Sequence, residues 1–419
     1  MSEGPPDVSA DLVTLNSALG TWVAQGKERP LIRWLQQNLD GDGVPRRLPL
    51  NEWVEGLSAI NEARAERPEG WPDQVDALAE GWFRAALRFS RPNGSSVFGV
   101  AAASEGCRGL FRHWADRLAE PGFSTVLDWW FPRKSPGRHA PPPLPADSRP
   151  DRSLSILRAN WARDGDLIAV DHRTPGMTSR FELFGLGRSW LGPTWATGSE
   201  HAATRSRPAL WVSQSSADMA EWSFRAGKAR VVRTALLFRG RRLALLGEQW
   251  DGPDDPGQMR IALAEGVTAN SIPESRGLAL TSDLHRASAR IYPIGLPHLP
   301  YPTERGSFGV EGSEIVLNQK AAGAGKRVWR SLIVSWEPKR NKQAVTWRTL
   351  TVSENSRPCS PDSVFASRVT WGRNDTLVIY RSLGPPALRA FLGHHCKARF
   401  LAGLFTSDGE IEPLLKVEE

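Results

Sequence analysis

Tyr292 follows Arg290 by two residues and His285-Arg286 by six to seven, the densest local set of proton-moving groups in the chain. On a strand, Arg290 and Tyr292 share a face, and a guanidinium beside a phenol favours the phenolate. A Tyr or His base with Arg neighbours suits removal of a proton beside a carboxylate. The base takes the proton, cations neutralise the growing charge, and an acid serves the leaving oxygen. The structural alternative is that Tyr292 packs at a strand end before Pro293 and that His285 is a loop residue. His172-Arg173 forms a second candidate, placed at a strand end before Thr174-Pro175-Gly176, where loops often carry sites. A solvated turn explains that pair as well. His394, His395 and Cys396 are metal-ligating types, but adjacent strand residues point to opposite faces, so at most one His and Cys396 converge. Neither a metal nor another cofactor is expected.

Binding chemistry has its own candidates. Of 18 Trp residues, Trp190, Trp195, Trp211 and Trp222 gather in one stretch with Arg188, Arg205 and Arg207. Flat indole faces stack on sugar rings or bases and attract guanidinium groups. Arg188, Trp190 and Trp195, with Arg173 and Arg290, are therefore candidate substrate-binding residues. Otherwise the same rings are core and the arginines stack on them.

These residues need elements to position them. The first 130 residues read as helices: Leu12, Leu15, Leu19, Trp22 and Val23 share one helical face. Trp71, Val75, Leu78, Trp82, Phe83 and Ala86 mark a second, over Pro72 to Phe89. Asn51 is placed to cap a helix burying Trp53, Leu57 and Ile60. Residues 133–153 hold Pro136, Pro141, Pro142, Pro143, Pro145 and Pro150, which predicts an extended linker. Beyond it the apolar period changes from helical to alternating. Ala229–Phe238 and Leu243–Trp250 read as a hairpin across Arg239-Gly240-Arg241-Arg242, with Gly240 supplying a positive φ. Both faces of Ala229–Phe238 turn apolar toward the tip, as in a strand covered on two sides. Further alternating segments run to Ile411–Val417, and Pro302 to Lys326 reads as surface loop around one strand. The expected class is α+β. A small N-terminal α-helical domain (1–132), the Pro-rich linker (133–153) and a large antiparallel two-sheet β-sandwich (154–419), supersandwich-like, follow one another.

Charge divides along the same line. Residues 1–150 carry 17 Lys and Arg against 19 Asp and Glu, so the net charge of +7 belongs wholly to the later part. A basic sandwich suits an acidic polysaccharide or oligosaccharide partner. Nucleic acid rests on charge alone, since no recognition-helix, RNA-binding or phosphate-loop signature occurs. Three scattered Cys argue against a disulfide framework and for a reducing compartment. With no basic, apolar leader and no apolar run of membrane-spanning length, the expectation is a cytoplasmic protein without membrane contact, unless the true start lies upstream.

Three stretches resemble the heparinase II/III-like polysaccharide lyases. Arg180-Phe181-Glu182-Leu183-Phe184-Gly185, with Gly187-Arg188 and Gly192-Pro193, is similar to the strand–turn–strand that begins that family's sandwich. Arg230-Val231-Val232-Arg233 through Leu243-Ala244-Leu245-Leu246 is similar to its central hairpin. Phe391-Leu392-Gly393 and Phe400 to Phe405 resemble its terminal strands. The resemblance implies a helical toroid before the sandwich, substrate between them, and β-elimination of uronate glycans. It also implies a His-x-Asp pair ahead of the first strand, where this chain has Pro175 and Met177 with His172-Arg173 just upstream. The family's catalytic Tyr belongs to the helical part, yet no Tyr precedes Tyr292 here. Three functions stay open: an acidic-polysaccharide binder with incomplete catalytic machinery, an active lyase using Tyr292, His285, Arg286 and His172, or a non-enzymatic protein-interaction scaffold.

Overall fold

A computed structural model describes residues 9–46, 48–99, 105–117, 121–133, 140–149, 153–173, 177–198, 203–253, 255, 257–282, 285–321 and 327–418. The chain divides into two compact units, residues 1–145 with 161–164, and residues 146–160 with 165–419.

The first unit is helical because its apolar residues recur every three or four positions. Its helices are Ser9–Gln25, Glu28–Asn38, Trp53–Glu66, Asp73–Arg88, Glu105–Arg117 and Pro121–Trp130. In Asp73–Arg88 the spacing buries Val75, Ala79, Trp82, Phe83 and Ala86, while Asp73 and Asp76 in the first turn and Arg88 in the last complement the helix dipole. Asp76 is held further by Trp71 Nε1 at 2.9 Å and Arg64 Nη1 at 3.2 Å. Gly81 permits a close crossing, since a Cβ there would stand 2.1 Å from the Asp42 carbonyl oxygen. Asn51 does not cap its helix. It falls inside the short 3-10 turn Leu50–Glu52, which runs straight into Trp53 without a side-chain cap.

The second unit is a stack of antiparallel sheets. The first sheet orders its strands Asp147–Arg149, Leu154–Arg158, Leu167–Asp171, Thr178–Gly185, Arg188–Thr197, Gln258–Leu263, Glu314–Gln319 and Gly306–Glu311. The central sheet runs Val267–Ser271, Leu278–Ser282, His285–Pro293, Arg327–Ser335, Leu243–Asp251, Ala229–Phe238, Ala217–Ala226 and Arg207–Ser213. These two eight-stranded sheets are the sandwich that the alternation predicts. A third sheet of five strands (Val345–Thr349, Val364–Trp371, Asp375–Ser382, Phe400–Phe405, Ile411–Val417) covers the other face of the central one, and a small fourth sheet caps the third.

The central hairpin shows why the middle layer is apolar on both sides. Its register pairs Phe238 with Leu243 and Arg230 with Asp251, and Gly240 takes φ 70° in the turn. Ala235 and Leu237 enter the core against the first sheet, whereas Leu236 and Phe238 enter the core against the third. Two expectations change. Gly306–Glu311 is a strand rather than loop, because Gly312, at φ 61°, closes a two-residue turn that pairs Glu311 with Glu314. The end of the proline-rich stretch contributes an edge strand, with Asp147 opposite Ile156. No helix among the described residues is long and apolar enough to cross a membrane.

Candidate functional site

His172 leaves the end of Leu167–Asp171 and lies flat on Trp222, ring centroids 5.7 Å apart and planes at 7°. It is 2% exposed, and neither ring nitrogen has a hydrogen-bond partner among the described residues. Burial drives its pKa down to about 4; Arg173, Arg205 and Arg233 add to the fall and Asp171 opposes it. The imidazole is neutral at neutral pH and a weak base. Arg173 is turned to Asp171, donating from Nε at 3.0 Å and Nη2 at 2.7 Å. Burial pushes the Asp171 carboxyl up, but Arg173 and Arg180 outweigh that and hold it below the usual range.

Tyr292 lies elsewhere. Its ring is fully buried in the core between the central and third sheets, 5.6 Å from Trp347. Burial raises its pKa against the opposing Arg290, so the phenol stays protonated. Arg290 pulls toward the phenolate, but desolvation exceeds that charge effect. Trp222, under His172, belongs to the core on the opposite face of the central sheet. Three strands also intervene between those carrying Tyr292 and Trp222, a separation of roughly 19 Å at normal strand spacing. The side chains of His285 and Arg286 lie outside the described residues. Their backbones open the strand His285–Pro293, roughly 20 Å along it from Tyr292. The structure thus brings Arg290 to Tyr292 but not His172. On the small fourth sheet, His394 Nε2 sits 2.7 Å from the Gly409 carbonyl oxygen and Cys396 is buried.

The Arg and Trp residues read from the sequence do meet, inside the sandwich. Trp190 and Trp195 are fully buried. Arg188 lies 4.8 Å above the Trp190 ring, and Trp195 meets Phe181 and Trp222 edge-on at 5.3 and 5.5 Å. No open indole face remains for a sugar at these two positions. Arg233, 5.6 Å from the Trp195 ring, is the larger surprise. It reaches from the central sheet to Ser179 Oγ at 2.9 Å, Thr197 Oγ1 at 2.8 Å and the Met177 carbonyl on the first-sheet side, and to Glu248 Oε2 at 3.1 Å. Arg233 and Glu248 are both fully buried. A second such group, on the opposite face, binds Glu221 to Arg381, Thr234 Oγ1 at 2.8 Å and Arg399 at 2.6 Å. Burial pushes the Glu221 carboxyl up, but Arg381 and Arg399 outweigh it and hold its pKa low.

Open cations lie at one end of the central sheet. Arg225, Arg230, Asp251 and Arg327 are direct cross-strand partners and so form one row on one face. Arg207 stands opposite Ser223, two residues from Arg225 on the same face; Lys228 is at the turn tip and Arg205 close by in the chain. Arg205, Arg207, Arg225, Lys228 and Arg230 are exposed, and among the described residues no side-chain hydrogen bond or ion pair holds any of them. Asp251 is engaged instead by Arg327 Nε at 3.0 Å. A like-charge pair such as Arg225 and Arg230 costs on the order of 0.2–1 kcal/mol relative to a neutral one.

Among solved structures the chain is similar to heparan sulfate lyase HepC from Pedobacter heparinus, with TM-score 0.62 and 13% identity over 92% of this chain and 67% of that one. It is likewise similar to a heparinase III gene product, with TM-score 0.64 and 9% identity over 91% of this chain and 66% of that one. This chain has the heparinase fold. It spans about two thirds of the length of those heparinases. No protein-family model and no curated protein matches it. On this heparinase fold the cationic row went unread in the sequence, although a signal for it was there. In Arg225-Ala226-Gly227-Lys228-Ala229-Arg230 the two arginines are equidistant from a two-residue Gly-Lys turn, and residues so placed in a hairpin face each other. The Arg233–Glu248 pair carried the same kind of signal, since the two face each other across the hairpin closed at Gly240, but its ties to Ser179 and Thr197 come from strands whose packing is set only in three dimensions.

Proposed function

We propose that this heparinase-fold chain binds an acidic polysaccharide, and that Tyr292, His285, Arg286 and His172 do not act together as a β-eliminating centre. The observation that carries the binding reading is the group of exposed cations Arg205, Arg207, Arg225, Lys228 and Arg230, none held by a side-chain hydrogen bond or ion pair among the described residues. Self-repulsion is tolerated there, and a polyanion would relieve it. Supporting the second half is the sealed position of Tyr292 on the far side of the central sheet from His172.

Heparan sulfate, the polymer in one fold neighbour's name, is the first ligand to try. Wild-type protein should be retained on it at low salt and released as salt rises. With each exposed cation contributing up to about 1 kcal/mol, an Arg225→Ser/Lys228→Ser/Arg230→Ser variant should bind on the order of 10- to 100-fold more weakly. Retention of the variant equal to wild type, or no retention of wild type on any acidic polysaccharide, would sink the proposal. A second reading, favoured by the lyase among the fold neighbours, is an active lyase with a different set of residues. It requires unsaturated uronate, seen by ultraviolet absorbance, and Tyr292→Phe should leave that product unchanged.

A further inference from the structure

Where the Arg327–Ser335 strand begins, the third-sheet strands Val345–Thr349 and Val364–Trp371 meet the base of the Gly306–Gln319 hairpin around a cavity of about 500 Å3. That volume is within the roughly 300–1,000 Å3 of small-ligand sites. Arg327 lines it and also ends the cationic row through Asp251, so cavity and row form one surface. Arg305 and Lys320 add two exposed cations at its mouth, against one exposed acid, Glu304. In its wall Gln319 donates from Nε2 to the Trp329 carbonyl at 3.4 Å, and Thr349 and Thr351 add exposed hydroxyls. Phe365 supplies an apolar wall.

We propose that this cavity is a subsite for one unit of the acidic polysaccharide, an inference that rests on the binding reading above. An acidic sugar requires three things at once. Its carboxylate or sulfate needs cations, here Arg305, Lys320 and Arg327. A ring hydroxyl needs polar partners, here the exposed Thr349 and Thr351 hydroxyls of the lining. The C–H face of the ring needs apolar contact, here Phe365. A purely apolar ligand would leave the exposed Arg305 and Lys320 without an anion.

Cys359, a free and half-buried thiol in the cavity wall, reports occupancy, and Cys107 in the helical unit serves as the internal control. The experiment is timed alkylation with iodoacetamide and peptide mass mapping, with and without a saturating sulfated uronate tetrasaccharide. The tetrasaccharide should slow modification of Cys359 by about tenfold and leave Cys107 unchanged. Arg305→Ser/Lys320→Ser, altering only exposed side chains, should need about tenfold more tetrasaccharide for the same protection. Arg225→Ser/Arg230→Ser should weaken polymer binding yet keep the protection of Cys359. If wild type binds the polymer but Cys359 reacts at the same rate with tetrasaccharide present, the subsite is refuted and the binding reading stands. If the polymer itself is not bound, the binding reading fails and the subsite with it.

Discussion

Replacing Arg233 with methionine should cost the sandwich about 3–5 kcal/mol, the largest loss expected from any single change described for this chain. The reason is the carboxylate left behind. Glu248 is fully buried, and its nearest other cation, Arg330 Nη1, stands 3.7 Å from Oε1. Thr197 Oγ1 still donates to Oε2 at 2.5 Å, but one hydroxyl does not replace a guanidinium. The same substitution strips donors from Ser179, Thr197 and the Met177 carbonyl, and these belong to the opposing sheet. Arg233 is thus both counter-ion and inter-sheet tie, although burial lowers its pKa against the pull of Glu248. Urea titration of wild type and variant measures the loss as a shift in midpoint. The double variant Arg233→Met/Glu248→Leu should recover most of it, because paired charges exchanged for apolar groups of similar volume are often neutral. A single variant within about 0.5 kcal/mol of wild type would mean that the pair is not desolvated as described.

The second large effect is acid sensitivity at His172. Its folded pKa of about 4 lies below the ordinary 6.5, so the unfolded chain takes up the proton first as pH falls. Stability from this residue is complete above pH 6.5 and drains away as pH drops toward 4. At 1.36 kcal/mol per pKa unit, the loss amounts to about 3 kcal/mol across that window. Asp171 and Glu221, with depressed pKa values, also lose stability in acid, so the total slope is not diagnostic. The difference from His172→Phe is. Phenylalanine keeps a flat ring on Trp222 without titrating, so its unfolding free energy should fall by about 3 kcal/mol less than wild type between pH 7 and pH 4. Parallel acid profiles for the two proteins would show that His172 is protonated in the folded state, and hence solvated.

Local chemistry alone determined a good deal. Period-two apolarity from Ser155 onward dictates strands, and a strand apolar on both faces, such as Ala229–Phe238, dictates a layer on each side. Gly240 and the Gly227-Lys228 turn fix hairpin registers, because tight turns admit few backbone conformations and neighbours in sequence become neighbours in the sheet. Pairings such as Leu243–Asp251 with Arg327–Ser335, or Arg188–Thr197 with Gln258–Leu263, join segments far apart in the chain. Those pairings decided that Trp190 and Trp195 are interior rings and that Arg233, already facing Glu248 across its hairpin, reaches Ser179 and Thr197 on the opposing sheet. They also set His172 and Tyr292 on opposite faces of one sheet, and they opened a cavity at the row's end. Alternation tells each side chain which of two faces it takes, but which sheet lies beyond that face depends on contacts between distant strands.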